Sequence, residues 1–157
     1  MKNTGINNII FSINVKKGAS MILVIDGQGG KIGAMFIDKW IKAGNAINDI
    51  VAIGTNAVAT QSMLKAGVKM AATGENPVIV NSKRADYIVG PIGIMASDAL
   101  LGEVTEKMAT AVAVSPAKKV LIPMNTCDYY VCGVGDGKLT ELIDEAVSTI
   151  SRFASES

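Results

Sequence analysis

Short aliphatic runs alternate along the chain with longer segments in which apolar residues recur every three or four positions. Continuous Ile, Val and Leu runs are typical of strands buried on both faces of a parallel sheet, and the longer segments are typical of amphipathic helices. Strands are predicted at residues 22–26, 50–53, 68–72, 87–89, 120–122 and 130–134. Helices are predicted at 32–41, 57–66, 95–101, 105–114 and 139–150, with a short helix or turn before residue 81.

Local signals mark the ends of several of these helices. Asn56 and Thr105 stand where N-caps are expected, and Thr140 is expected to cap the last helix. Gly44 and Gly67 each follow a helical segment, as in a common C-terminal stop.

The alternation of strands and helices with short links predicts an α/β fold in three layers. We expect a doubly wound, mostly parallel, Rossmann-like sheet in a single domain at residues 21–152. Residues 1–20 are interpreted as an N-terminal extension, either disordered or lying before a functional start at Met21, and residues 153–157 as a tail. No apolar run reaches the length of a membrane span.

The predicted strands end in loops rich in glycine and small polar residues. In a parallel sheet these carboxyl ends share one edge, and ligands bind there where the strand order reverses. Free backbone N–H groups in such loops suit an anion or a nucleotide. The candidate ligand residues in these loops are Gly27, Gln28, Gly29, Gly30, Lys31, Ile32, Gly33, Thr55, Asn56, Thr73, Gly74, Asn76, Gly90, Pro91, Ile92, Gly93 and Asn125.

The loop at residues 27–33 stands where a dinucleotide-binding motif belongs, between the first strand and the first helix. Gly27 would allow a tight turn, Gly29 would let the backbone approach a phosphate at the helix N-terminus, and Gly33 would let the helix pack close to the sheet. The third glycine comes one position later than in G-x-G-x-x-G. Lys31 is either an anion contact or a solvated lysine.

The end of the second strand argues against ordinary NAD binding. A ribose-binding carboxylate is expected there, but residues 54–56 are Gly-Thr-Asn. A mononucleotide or a phosphorylated small molecule is therefore as good a candidate as a dinucleotide.

Four carboxylates are candidates for roles at this edge. Glu75 is either a catalytic general base or ribose ligand, or an exposed residue at a helix entry. Asp26 is predicted to hold the glycine loop by accepting its N–H bonds. Asp98 and Glu103 lie either near the site or on a helix surface.

Composition narrows the classes of function. The 157 residues include 15 Lys and Arg, 14 Asp and Glu and no His, so the formal charge is +1. Balanced charge disfavours nucleic acid as a partner, and the absence of His excludes His-based triads and most zinc sites. No metal site is predicted. Cys127 and Cys132 are too few for a disulfide framework, which indicates a cytoplasmic protein, and they are interpreted as buried.

The segment at residues 93–114 carries more apolar residues than one helix face can hold. A second apolar face needs a partner, so a homodimer through this segment is predicted. The alternative is that the last helix covers this face.

Several short motifs together resemble one bacterial family. Ile-Asp-Gly-Gln-Gly-Gly, Gly-Thr-Asn, Ala-Thr-Gly-Glu-Asn-Pro and Gly-Pro-Ile-Gly-Ile, with Ala-Lys-Lys and Leu-Ile-Asp-Glu-Ala further on, make the chain similar to the family called domain of unknown function 3842. The resemblance covers about residues 21–150. It implies a small Rossmann-type fold and brings no established activity.

These observations leave three functional hypotheses. The first is binding of a nucleotide or phosphorylated small metabolite at the C-terminal edge of the sheet. The second is an NAD(P)-dependent oxidoreductase, although a small single domain leaves little room for a substrate domain. The third is a ligand-sensing or assembly module without catalysis. The first two hypotheses leave the cofactor unknown, with a nucleotide or NAD(P) as candidates.

Overall fold

The structure, a computed structural model, describes residues 20–124, 129–135 and 137–156. Within these residues five parallel strands form one sheet: β1 (Ile22–Asp26), β2 (Ile50–Gly54), β3 (Met70–Thr73), β4 (Tyr87–Pro91) and β5 (Lys118–Ile122). Their spatial order is β3–β2–β1–β4–β5. The chain therefore returns from the β3 edge to the centre before β4, and the strand order reverses between β1 and β4.

Helices cover both faces of the sheet. They are α1 (Lys31–Lys42), α2 (Ala57–Lys65), α3 (Glu75–Ser82), the single turn α4 (Ala99–Gly102), α5 (Glu106–Val114) and α6 (Leu139–Ser155). Helix α1 packs between α2 and α6 on one face, and α3 packs with α5 on the other. This arrangement confirms the predicted three-layer, doubly wound α/β fold.

Strand β1 is the centre of two hydrophobic cores. Ile22 and Val24 belong to the core under α1 and α6, whereas Leu23 and Ile25 belong to the core under α3 and α5. Because successive side chains of a strand point to opposite faces, a continuous aliphatic run fills both cores. The burial of β1 on both sides explains why polar and apolar residues do not alternate in its sequence.

Two of the predicted helix caps are confirmed. Asn56 Oδ1 accepts the Ala59 N–H at 2.9 Å, and Thr105 Oγ1 accepts the Met108 N–H at 3.2 Å. The Thr140 cap is wrong, because α6 begins at Leu139 and has no side-chain capping bond.

Two predicted elements take another form. Residues 130–134 make a local turn rather than a sixth strand, with the Val134 N–H donating to Val131 O at 3.3 Å. The helix expected at 95–101 is replaced by a 3₁₀ turn at Ile92–Met95 and the left-handed turn α4. Contacts that Glu103 makes with distant strand ends, described below, override helix propensity in this segment.

The cysteine interpretation is also corrected. Cys132 is exposed, because the residues around it form a surface turn after β5 instead of a strand in the sheet. Cys127 lies outside the described residues, as does the candidate ligand residue Asn125.

Within the described ranges, none of the helices combines the length and apolar character that crossing a bilayer requires.

Candidate functional site

The loop between β1 and α1 is closed by a buried carboxylate. Asp26 Oδ1 accepts the Gly27 N–H at 2.8 Å, and Asp26 Oδ2 accepts the Gly33 N–H at 2.7 Å. Burial raises the pKa of Asp26, and the negative charge of Glu103 raises it further. Hydrogen bonds from backbone N–H groups, above all that of Gly33, act in the opposite direction but do not cancel the increase. The predicted role of Asp26 in holding the glycine loop is confirmed.

The closed loop leaves two backbone donors unpaired. Among the described residues, the N–H groups of Gly29 and Lys31 have no hydrogen-bond partner, whereas the Gly30 N–H donates to Gly27 O at 2.9 Å. Gln28, Gly29 and Lys31 are exposed. The loop thus presents unpaired N–H groups to solvent at the start of a 12-residue helix, an arrangement that favours an anion.

The glycines of this loop differ in their structural roles. A Cβ at Gly33 would lie 2.6 Å from Met63 Sδ of α2 and 3.2 Å from Asp26 Cβ at the end of β1, so glycine at this position lets α1 lie close to both. Gly30 has a φ of +67°, and a Cβ there would lie 2.7 Å from the Ala59 backbone, so this position also requires glycine. A Cβ at Gly29 would meet nothing within 4 Å, and the face above Gly29 is open.

A carboxylate from another part of the chain lies on this loop. Glu103 Oε2 accepts the Gln28 N–H at 2.8 Å, the Thr55 hydroxyl at 2.5 Å and the Asn56 side-chain N–H at 2.9 Å. Asn56 also donates to Gln28 O at 3.0 Å. Glu103 therefore joins the end of β2 to the glycine loop, and it lies against this loop rather than on a helix surface.

Glu103 is held in its ionised form. Partial burial alone would raise the pKa of its carboxyl, but the hydrogen bonds from Thr55, Gln28 and Asn56 outweigh burial and lower it. The stability that these bonds contribute is complete above the ordinary pKa of 4.5 and is lost as the pH falls through the lowered value. The bonds all reach Oε2, and Oε1 has no partner in the part of the chain that the structure describes.

A left-handed segment positions this carboxylate. Asp98, Leu100 and Leu101 have φ values of 63°, 56° and 60°, followed by Gly102 at 86°. For residues other than glycine, each such conformation costs about 1–2 kcal/mol. The Asp98 N–H donates to Val104 O at 2.8 Å, which closes the segment. Buried Val104 and the three bonds of Glu103 hold this strained segment against the strand ends.

Glu75 lies at the same edge, at the start of α3. Its Oε2 accepts the Thr105 hydroxyl at 2.7 Å, and its Oε1 lies 3.7 Å from Lys107 Nζ. These contacts of Glu75 support the start of α5. Its partner Thr105 follows Glu103 by two residues in the chain. Asn76 is exposed next to it.

Most of the remaining candidate residues at the ends of β3 and β4 make contacts within the domain. Thr73 Oγ1 lies 2.6 Å from Thr60 Oγ1, and the Gly74 N–H donates to Gly54 O at 2.9 Å. A Cβ at Gly90 would lie 2.3 Å from Ile25 O. Gly90 thus permits the close approach of β4 to β1. Pro91 and Gly93 are buried, and Ile92 is partly exposed.

The cavity at the end of β5 is lined by residues that include Met124, Tyr129, Tyr130 and Leu142, and the glycine loop does not contribute to it. Among the described residues no group of three or more acidic or cysteine side chains could hold a metal ion.

One comparison with known proteins identifies a family. The model of the family described as domain of unknown function 3842 matches residues 21–155. This match confirms the resemblance seen in the sequence. Neither the curated proteins nor the solved structures gave a match.

Proposed function

We propose that the chain, which belongs to the family described as domain of unknown function 3842, binds a nucleotide or a phosphorylated small metabolite at the C-terminal edge of its sheet. The observation that supports this proposal most is the pair of unpaired N–H groups at Gly29 and Lys31. The phosphate would lie on these groups, at the positive end of the α1 dipole.

The loop is preorganised for such a ligand. Asp26 binds its first and last glycines, so the loop needs no ordering when an anion arrives. A preformed site avoids the entropy cost of ordering a flexible one. The ammonium of exposed Lys31 adds positive charge at the same end of the helix.

Glu103 also favours a dinucleotide as a second candidate ligand. The sequence lacks a carboxylate directly after β2, but Glu103 supplies one there through Thr55 and Asn56. Titration of the protein with NADH and NADPH, followed by nicotinamide fluorescence, tests the oxidoreductase hypothesis. Binding without catalysis would make the chain a ligand-sensing module, with Glu75 as a further carboxylate at the same edge.

Gly29 offers a direct test of the phosphate site. We expect Gly29→Asp to weaken binding of inorganic pyrophosphate and of nucleoside diphosphates at least tenfold, because it adds a negative charge beside the loop's N–H donors. Isothermal titration calorimetry measures this effect. The substitution should fold normally, since a Cβ at Gly29 meets nothing within 4 Å.

Two variants serve as controls for this prediction. Gly29→Ala adds the methyl without the charge, and Gly135→Asp adds the same charge at another position where a Cβ meets nothing within 4 Å. Both should bind pyrophosphate better than Gly29→Asp does. If folded Gly29→Asp binds as well as the wild type, the phosphate site is not on this loop.

We also propose that the chain forms a homodimer through the segment at residues 93–114. Met108, Ala109 and Val112 are buried within the domain, but Leu101 is 95% exposed. We expect sedimentation at micromolar concentration to give a species of twice the 16.3 kDa chain mass, and Leu101→Glu to shift it to the monomer. A wild-type protein that sediments only as a monomer contradicts the proposal.

A further inference from the structure

We propose that Glu103 selects ligands that carry a ribose with free 2′ and 3′ hydroxyls. This inference rests on the proposed function, because it takes the phosphate of the same ligand to lie on the loop at Gly29 and Lys31. It names the class of ligand as a ribonucleotide with an unmodified ribose.

The first support is the position of the carboxylate. In nucleotide-binding α/β sheets, a phosphate lies at the N-terminus of the first helix, and an acid at the end of the second strand accepts the ribose hydroxyls. Glu103 Oε2 is bound to Thr55 and Asn56, which directly follow β2, and to Gln28 of the loop. The acid therefore stands at the ribose position, although it comes from the connection between β4 and α5.

The second support is the way the carboxylate is held. Oε2 accepts three hydrogen bonds, while Oε1 has no partner among the described residues. The side chain is partly exposed. One oxygen is thus fixed and the other is available to a hydroxyl donor, and a hydrogen bond from a hydroxyl to an ionised carboxylate is among the stronger kinds.

The third support is the backbone that brings the carboxylate there. Leu100 and Leu101 adopt left-handed conformations just before Glu103, and a Cβ at Gly27 would lie 2.7 Å from Glu103 Oε2. Strained residues of this kind persist where the surrounding structure holds them, and they are concentrated at functional sites. A small residue at position 27 is required for the carboxylate to approach the loop.

The charge of Glu103 also implies which ligands are rejected. A phosphate on the 2′ oxygen would place a second negative group against the carboxylate and remove a hydroxyl donor. Two negative charges close to each other repel, which disfavours binding. We therefore expect NAD-type ligands to bind better than their 2′-phosphorylated counterparts.

The experiment compares ligands with and without the ribose hydroxyls. Wild type and Glu103→Gln are titrated calorimetrically with pyrophosphate, with ADP, GDP, CDP and UDP, and with the 2′,3′-dideoxy counterparts of these nucleotides. The wild type should bind at least one ribonucleotide ten times more tightly than its dideoxy form. Glu103→Gln should lose this preference, since Gln cannot offer an ionised acceptor. Pyrophosphate, which has no ribose, should bind Glu103→Gln at least as tightly as the wild type, because the substitution removes a negative charge beside the loop.

Two further variants separate loss of the carboxylate from loss of structure. Glu106→Gln removes an exposed carboxylate three positions away, in the first turn of α5, and should behave as the wild type. Thr55→Val keeps the carboxylate but removes one of its three hydrogen bonds, and should reduce the ribose preference less than Glu103→Gln does. Thermal unfolding of each variant confirms that it is folded.

Three results would overturn the inference, and each has its own meaning. Equal binding of ribose and dideoxy forms by the wild type leaves the phosphate site standing without the ribose contact. A ribose preference that Glu103→Gln keeps in full shows that groups other than Glu103 bind the hydroxyls. If the wild type binds neither pyrophosphate nor any nucleotide, the proposed function fails together with the inference.

Discussion

Replacing Asp26 with alanine is expected to lower the free energy of unfolding by about 2–6 kcal/mol, because each of two buried N–H groups left without a partner costs about 1–3 kcal/mol. The two N–H groups concerned belong to Gly27 and Gly33, which are both buried. Urea unfolding followed by far-UV circular dichroism measures the change. The loop should also lose its fixed shape, so pyrophosphate binding should weaken with it.

The comparison with Asp26→Asn separates charge from hydrogen bonding. Asn keeps one acceptor oxygen, so its loss of stability should lie between those of the wild type and the alanine variant. Burial raises the pKa of Asp26 above its ordinary value of 3.8. Stability from protonated Asp26 is therefore complete below 3.8 and is lost as the pH rises through the raised value. The advantage in stability of the wild type over Asp26→Asn should therefore become smaller as the pH rises through the raised pKa.

An unchanged urea midpoint in Asp26→Ala would contradict this role. Asp38→Ala is a suitable control, since Asp38 is an exposed carboxylate of α1 that pairs with exposed Lys42. A surface ion pair of this kind contributes about 0–1 kcal/mol. The control should therefore unfold close to the wild type.

The part of the site that the sequence predicted is the part built from neighbouring residues. Asp26, Gly27 and Gly33 lie within eight positions, and an acid at the end of an aliphatic strand followed by glycines identifies the closed loop. The caps at Asn56 and Thr105 are local in the same way. For such features the chain order alone determines which groups meet.

The contacts of Glu103 could not be predicted in this way. Its partner Gln28 lies 75 positions away and Asn56 lies 47 positions away, so the contact depends on how β1 and β2 align in the sheet. The only local signal is an acid between apolar Leu101 and buried Val104. The same contacts turn residues 99–102 into a left-handed turn, and that is why helix periodicity fails in this segment.

Gly90 shows how one residue type can support two interpretations. From the sequence, glycine at the end of a strand suggests a backbone exposed to a ligand. In the structure Gly90 is buried, and a Cβ there would lie 2.3 Å from Ile25 O and 3.0 Å from Ile94 Cδ1. The Ile25 oxygen belongs to the central strand β1, which is paired with β2 on its other side at Ile53. Neither strand can move away without disturbing the sheet.

Gly90→Ala is therefore expected to lower the free energy of unfolding by about 3 kcal/mol or more, at the upper end of the usual cost of overpacking a core. Gly29→Ala is the matched control, because a Cβ at Gly29 meets nothing within 4 Å, and it should unfold close to the wild type. Urea unfolding of the two variants under the same conditions measures the difference. If Gly90→Ala keeps the wild-type midpoint but loses pyrophosphate binding, Gly90 contacts the ligand, and the packing role assigned to it here is wrong.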